Sequence, residues 1–504
     1  MGTHPVPGTM YPSKHFTLSV ALLLVLAPLS GVVVPLVGTV TAANDGDGAA
    51  GATELSSCTV IDQPGTYVLT EDITDSSEGI CIDIRSSDVT FDGNGHVVAG
   101  NLSREEINES TAGPPPRDRV GVGVNVRADE RVSNVSVSNV TVSNWYHGVL
   151  SENVSGGSTS GITAYDNGGG IIYDNSSDVS VTDSTSMENL ILGVIVDSRA
   201  GVPNANNTIA DNTLRNNSVF GAALFLSNGS TVANNTATEN LFGVMAFGTT
   251  NTTVTNNIAS NNRYIGVLVE GFPLNNSTVG EPIDDVEPAV PRTNSRENLV
   301  VDNDATNNTF GGIALGNTDD TLVVDNDVSE TGPAPAKVYP FTTRASAGIL
   351  AENATNNTVV NTTASDVEYV YAGFNSSETT VRNAETDSGR VSFVAGDVGV
   401  APVADLPEPP AGQAAFGEGL NTTAFGENES LTVTFHYDEA ALEEANRNEK
   451  SLNVYRYDEA TGEWTVVCDD YVLDTEANTV TATVDDPNGV VAPLANDDPN
   501  STST

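Results

Sequence analysis

Three stretches decide the fold: Gly221-Ala-Ala-Leu224, Gly243-Val-Met-Ala246 and Gly266-Val-Leu-Val269, each a glycine opening an apolar run, set 22 and 23 residues apart. Outward from these, the same opening recurs at Gly123, Gly148, Gly170 and Gly193 and again at Gly312 and Gly348. The successive spacings are 25, 22, 23, 28, 22, 23, 46 and 36 residues. A unit of 22 to 23 residues that absorbs insertions accounts for the series. Asparagines keep the same register, at Asn212, Asn235, Asn257, Asn303 and Asn326, and five residues later at Asn217, Asn240, Asn262 and Asn308.

Each unit holds short β-prone pieces such as Thr253-Val-Thr255 and Leu322-Val-Val-Asp325, separated by Asn, Asp and Gly, with no helical period. A unit this short cannot bury its own apolar side, so it must stack on copies of itself. Stacking at about 4.8 Å lets each strand pair in parallel with its equivalents above and below. Asparagine at a recurring turn tolerates left-handed backbone and can form hydrogen-bonded ladders from coil to coil. The expectation is an all-β chain built on a parallel β-helix of about eleven coils, on the order of 50 Å long. Aromatic residues before the unit glycine, Phe220, Phe242, Tyr264 and Phe310, are expected to stack inside it. Two proline-rich stretches, Asn101 to Arg119 and Phe272 to Asn298, read as projecting loops, although the 46-residue interval leaves room for one irregular coil.

The segments Pro64-Gly-Thr-Tyr-Val-Leu69, Gly79-Ile-Cys-Ile-Asp-Ile84 and Asp88-Val-Thr-Phe-Asp-Gly-Asn-Gly-His96 resemble the first coils of right-handed β-helix repeat proteins related to NosD, the periplasmic copper-associated family. The resemblance spans roughly Ser57 to Phe393. It implies a right-handed, single-stranded solenoid. It leaves chemistry open, because the wider superfamily mixes polysaccharide lyases, hydrolases and epimerases with proteins of no known activity. Copper enters only through this resemblance. His96 and His147 are the solenoid's histidines, Met187 and Met245 fall on different coils, and His96 reads as a turn residue.

The net charge of −48, from 19 Lys plus Arg against 67 Asp plus Glu, excludes a nucleic-acid binder and argues against an anionic membrane surface. Only Lys14, Lys337 and Lys450 are lysines. A carboxylate surface of this kind repels itself unless salt screens it, and here the sequence looks like secreted proteins of halophilic archaea. Residues 1–43 read as a signal peptide, with Lys14 and His15 before an apolar run from Phe16 to Val40 and then Thr41-Ala-Ala43, an uncleaved anchor being the competing reading. No membrane span is expected once it is removed. Residues 44–56 follow as an acidic Gly-rich linker and 57–395 as the β-helix. Then come a Pro/Ala/Gly linker at 396–419, a small β-rich domain at 420–495 and a disordered tail at 496–504. In the small domain Leu431–Tyr437, Ser451–Tyr457, Trp464–Val467 and Thr479–Val484 read as strands, Glu439–Asn446 as a short helix and Trp464 as core.

Cys58 and Cys81, 23 residues apart, are expected to form a disulfide, and Cys468 to be a buried thiol. Candidate glycosylation sequons include Asn134, Asn139, Asn153, Asn228, Asn251 and Asn361. The doubled triplet Asp302-Asn303-Asp304 and Asp325-Asn326-Asp327 recurs after 23 residues, which would bring four carboxylates together on extended backbone. These could remain a solvated patch, bind Ca²⁺, or do acid/base work on a sugar. Convergence in a groove with an arginine about 4 to 6 Å away would favour an enzyme such as a lyase, epimerase or hydrolase, whereas fanning into solvent would not. Asn317-Thr-Asp-Asp320 resembles part of the polygalacturonase signature, but the accompanying Gly-His-Gly and Arg-x-Lys elements are missing. Trp145-Tyr-His147 is the candidate protruding aromatic group for sugar. The reading that results is a secreted or cell-surface protein, non-catalytic, presenting an acidic solenoid to polysaccharide or surface glycans. A polysaccharide-active enzyme and a metal-handling accessory protein are the alternatives.

Overall fold

A computed structural model describes residues 51–110, 121–198, 204–271, 294–332, 345–387, 389–403, 405–427 and 429–496. The signal peptide, most of the acidic linker, the Pro114–Pro116 run, residues 272–293 and the tail beyond Asn496 lie outside the described residues.

The chain winds through three parallel sheets in turn. One coil runs from Thr231–Ala233 in the second sheet to Thr236–Thr238 in the third and Phe242–Phe247 in the first, before Thr253–Thr255 opens the next. Equivalent strands pair in register, Val232 with Val254 and Val244 with Val267. Among the described residues the first sheet has twelve parallel strands, from Thr59–Ile61 to Tyr369–Phe374. The fold is the expected parallel β-helix. Ile265–Glu270 pairs directly with Gly311–Gly316, and Thr253–Thr255 with Leu299–Val301, so no coil stands between these strands in the stack.

The asparagine series divide the turn's labour between neighbours. At each turn the left-handed residue precedes the register asparagine: Asp211, Asn234, Asn256, Asp302 and Asp325 all have φ between 53° and 58°. The next residue, Asn212, Asn235, Asn257, Asn303 or Asn326, turns inward and is buried. Its amide donates to the following coil's side-chain carbonyl, as from Asn235 to Asn257 at 3.0 Å and from Asn257 to Asn303 at 2.9 Å. The series through Asn217, Asn240 and Asn262 repeats the arrangement at 3.2 and 3.4 Å. These bonds satisfy turn amides that burial would otherwise orphan.

Strands of the second and third sheets bury alternate residues, whereas first-sheet strands such as Leu192–Asp197 and Phe220–Phe225 are buried on both sides. Val194, Val196, Ala222 and Leu224 face the lumen. Ile195, Ala223, Met245 and Leu268 face outward and form a second apolar cluster. Phe220 and Phe242 do stack, with centroids 5.7 Å apart, yet they belong to that outer cluster; the expectation of rings inside the coil is corrected by the alternation of the strand.

Other expectations change as well. Arg104–Ser110 is a helix where a loop was expected; Ser103 starts it by donating to Glu106, and Ile107 is buried. Thr53–Leu55, in the supposed N-terminal linker, pairs with Gly65–Leu69. Val398–Val403, in the supposed second linker, pairs antiparallel with both Tyr369–Phe374 and Gly419–Ala424, because Val398 and Val400 bury as strand residues. The second sheet likewise continues through Thr379–Thr386 and Gly389–Ala395 to Ser430–His436. The C-terminal β unit therefore grows out of the solenoid's own sheets. Its helix spans Glu439–Glu444, capped by Asp438. Trp464 is half-buried, donating to the Glu408 carbonyl at 3.0 Å.

Cys58 and Cys81 form the expected disulfide. Cys468 is an exposed thiol, not a buried one: it lies between the strands Glu463–Val466 and Asp469–Asp474, where Val466 and Val472 are also exposed.

Candidate functional site

The Asp triplets are turn chemistry. Asp302 and Asp325 occupy the left-handed position and are exposed, which departs from the extended backbone assumed for them. Asp304 and Asp327 are bridge partners on adjacent coils, but each carboxylate is committed within its own turn. Asp304 accepts from Thr306 Oγ1 at 2.7 Å, and Asp327 from Ser329 Oγ at 2.6 Å. Asp325 accepts from Asn361 at 3.0 Å. Among the described residues no arginine pairs with any of the four. Nor is any group of three or more His, Cys, Asp and Glu side chains placed to hold a metal ion. The geometry gives the Ca²⁺ and acid/base readings of this cluster no support.

Trp145 does not protrude. It is 1% exposed, and its indole donates to the Val98 carbonyl at 2.9 Å. Gly100, Gly121 and Gly123 make the room: a Cβ at each would stand 2.9 to 3.3 Å from the indole. Tyr146 is buried beside it, and its ring meets His147 edge-on at 4.6 Å. The aromatic triplet is core, because glycines on neighbouring coils open a slot that only a large ring fills.

His96 is a turn residue, its Nδ1 2.9 Å from Asp72. Asn317 begins a turn at φ 49° and is followed by Thr318–Asp319, which pairs with Ser295–Arg296. Of the sequons, Asn134, Asn139, Asn228, Asn251 and Asn361 are exposed and Asn153 is half-buried.

The residues that come together lie elsewhere, on the outer face of the first sheet near its beginning. In Ile80–Ile84 and Val122–Val126 the outward position, apolar in later coils at Ile172 and Ile195, is held by Asp83 and Asn125, which are register partners. Both are buried, and Asn125 Nδ2 donates to Asp83 Oδ1 at 2.7 Å. Arg85 closes on the other oxygen of Asp83 at 2.5 Å, and Arg127, on the next coil, meets Glu152 at 2.9 Å. The guanidinium side chains remain 55% and 60% exposed, so donors are left over on each. The row continues through Glu152, Asp174 and Asp197, one per coil. The available signal was a polar residue at one position of two apolar runs, Asp83 in Ile80-Cys-Ile-Asp-Ile84 and Asn125 in Val122-Gly-Val-Asn-Val126.

Residues 103–278 match the family described as periplasmic copper-binding protein (NosD). Similar solved structures include the A-module of mannuronan C-5 epimerase AlgE6 from Azotobacter vinelandii, at 15% identity, 64% of this chain, 83% of that chain and a TM-score of 0.44. Another is DFA-IIIase from Arthrobacter chlorophenolicus A6 without its lid, at 16% identity, 65% and 84% coverage and a TM-score of 0.45. A third is an exopolygalacturonase from Thermotoga maritima, at 13% identity, 68% and 82% coverage and a TM-score of 0.38. No curated protein matches. The architecture rests on the strand pairing above: the chain is a parallel β-helix repeat protein, and its residues 103–278 are similar to NosD.

Proposed function

We propose that this is a secreted or cell-surface protein without catalytic activity, which presents an acidic solenoid and binds carbohydrate on the outer face of its first sheet. The row Asp83, Arg85, Asn125, Arg127 and Glu152 supports this reading: planar polar side chains, fixed by one another, offer spare donors at the strand spacing of about 4.8 Å. The disulfide suits an oxidising compartment. Among the described residues no helix is long and apolar enough to cross a membrane.

The test is calorimetric titration of the full mature chain, in high salt, with neutral and uronic-acid oligosaccharides. Binding should fall at least tenfold in Asn125→Ala and Arg127→Ala and stay unchanged in Asp304→Ala. Absence of binding across both oligosaccharide classes rejects the reading. The family match favours a second reading, copper handling. Stoichiometric copper retained through dialysis would support it.

A further inference from the structure

The second sheet has an outer face on which charge is scarce. Its strands bury the middle residue and turn the two beside it outward. In register, one outward row runs Thr231, Thr253, Leu299, Leu322, Thr358, Thr380 and Val394, and the other Ala233, Thr255, Val301, Val324, Val360 and Arg382. Arg382 is the single charge in these two rows. On the third-sheet side of the same coils the bridge-partner row is Ile258, Asp304, Asp327, Thr363 and Glu385, which is acidic.

Three adjacent coils interrupt the threonine rows. Leu299 with Val301, Leu322 with Val324, and Val360 beside Thr358 form one apolar block, and Val394 stands beyond it. Leu322 and Val394 are each 40% exposed. The block does not serve the lumen, which Val300, Val323 and Val359 fill beneath it. Thr253 and Thr358 hold the same outward position as Leu322 on nearby coils, so the strand itself does not require leucine there. An exposed apolar block on a flat sheet marks a contact surface.

Charge indicates what the surface fits. The chain carries a net −48, and Glu297, Asp302, Asp320 and Asp325 stand exposed at the turns on either side of the block. Asp320 accepts from Asn356 and Asp325 from Asn361, so the rim's acids are partly met by the chain's own amides and do not call for a cationic partner. The contact area holds no acid to repel an identical face, and two flat sheets can interdigitate their outward side chains. We propose that two copies of the chain meet here, sheet on sheet, about a two-fold axis near Leu322 that sets one apolar block on the other. Seven strands centred on Leu322, from Thr231–Ala233 to Gly389–Ala395, take part. With their turns they cover about 34 Å by about 20 Å, or about 700 Å² of each copy, against roughly 800 Å² in a standard complex. A two-fold contact uses the same patch on both copies, so the assembly closes at two. The rim acids repel their counterparts, and the contact tightens as salt screens them.

The experiment is sedimentation velocity of the full chain over a concentration series, in high salt and at lower salt, with circular dichroism showing that the fold persists in both. A concentration-dependent dimer is expected, tighter in the higher salt. Leu322→Asp should weaken it by about a hundredfold and Leu322→Thr by about tenfold, each change acting twice in the pair. Val472→Asp, at an apolar side chain 57% exposed in the C-terminal unit, should leave it unchanged. A chain that stays monomeric throughout overturns the proposal. So does a dimer that Leu322→Asp leaves intact, or one that tightens as salt is lowered. If Leu322→Asp does not fold, Leu322→Thr carries the test, since it restores the residue type of Thr253 and Thr358, and an undiminished dimer overturns the two-fold contact.

Discussion

Replacing Asn257 tests whether the buried asparagine ladder holds the coils together. Its amide donates to Val232 O at 2.9 Å, Thr255 O at 3.0 Å and Asn303 Oδ1 at 2.9 Å. Its carbonyl oxygen accepts from the Asn235 backbone and side-chain amides, both at 3.0 Å. In Asn257→Ala the Asn235 N–H and the Val232 carbonyl lose these bonds inside the lumen. At about 1–3 kcal/mol for each orphaned group, the loss should be about 4 kcal/mol. Asn257→Asp is nearly isosteric and should be worse at pH 7, because it points a charged acceptor at three acceptors in a site 1% exposed. Its penalty should shrink on acidification, since the neutral acid can again donate once. The assay is urea unfolding in constant high salt, followed by circular dichroism, with hydrogen exchange reporting the coils on either side. An Asp variant as stable as the Ala variant at pH 7, with no gain on acidification, would refute the reasoning.

Trp145→Ala should cost about 3–5 kcal/mol, because it empties the slot that Gly100, Gly121 and Gly123 open; chemical denaturation measures it, and a loss below about 1 kcal/mol would contradict the core assignment. Native protein should take up one equivalent of an alkylating reagent, at Cys468, whereas two more should react only after reduction, with the first coils losing about 3 kcal/mol. Labelling at none or at three sites without reductant would be incompatible with this pattern. His436 is held below its ordinary 6.5 by burial and by Arg390, so its contribution is present above pH 6.5 and fades as pH falls through the lowered value. An imidazole midpoint at or above 6.5, by NMR titration, would contradict the placement.

The solenoid was legible because its cause is periodic. A glycine at Gly221, Gly243 and Gly266 and an asparagine at Asn235 and Asn257 recur for reasons that act identically in every coil, so one-dimensional spacing carries the three-dimensional fact. The site was less legible, because it depends on which way single residues face. Asp302 and Asn303 are neighbours in sequence, yet left-handed backbone sends the first into solvent and the second into the lumen. Trp145 read as protruding because the glycines that receive it are up to 45 residues away.

Parallel stacking by itself has no stopping rule: the last coil offers an unpaired edge with the same hydrogen-bond phase as every coil before it, and so could template a further chain. At Tyr369–Phe374 and Thr379–Thr386 that phase is broken, because Val398–Val403 and Gly389–Ala395 run the other way and occupy the edges of two of the three sheets. A second molecule cannot extend those two sheets in parallel register at this end. The length of the rod is thereby written into one chain, and the protein is protected there from becoming a monomer of its own filament.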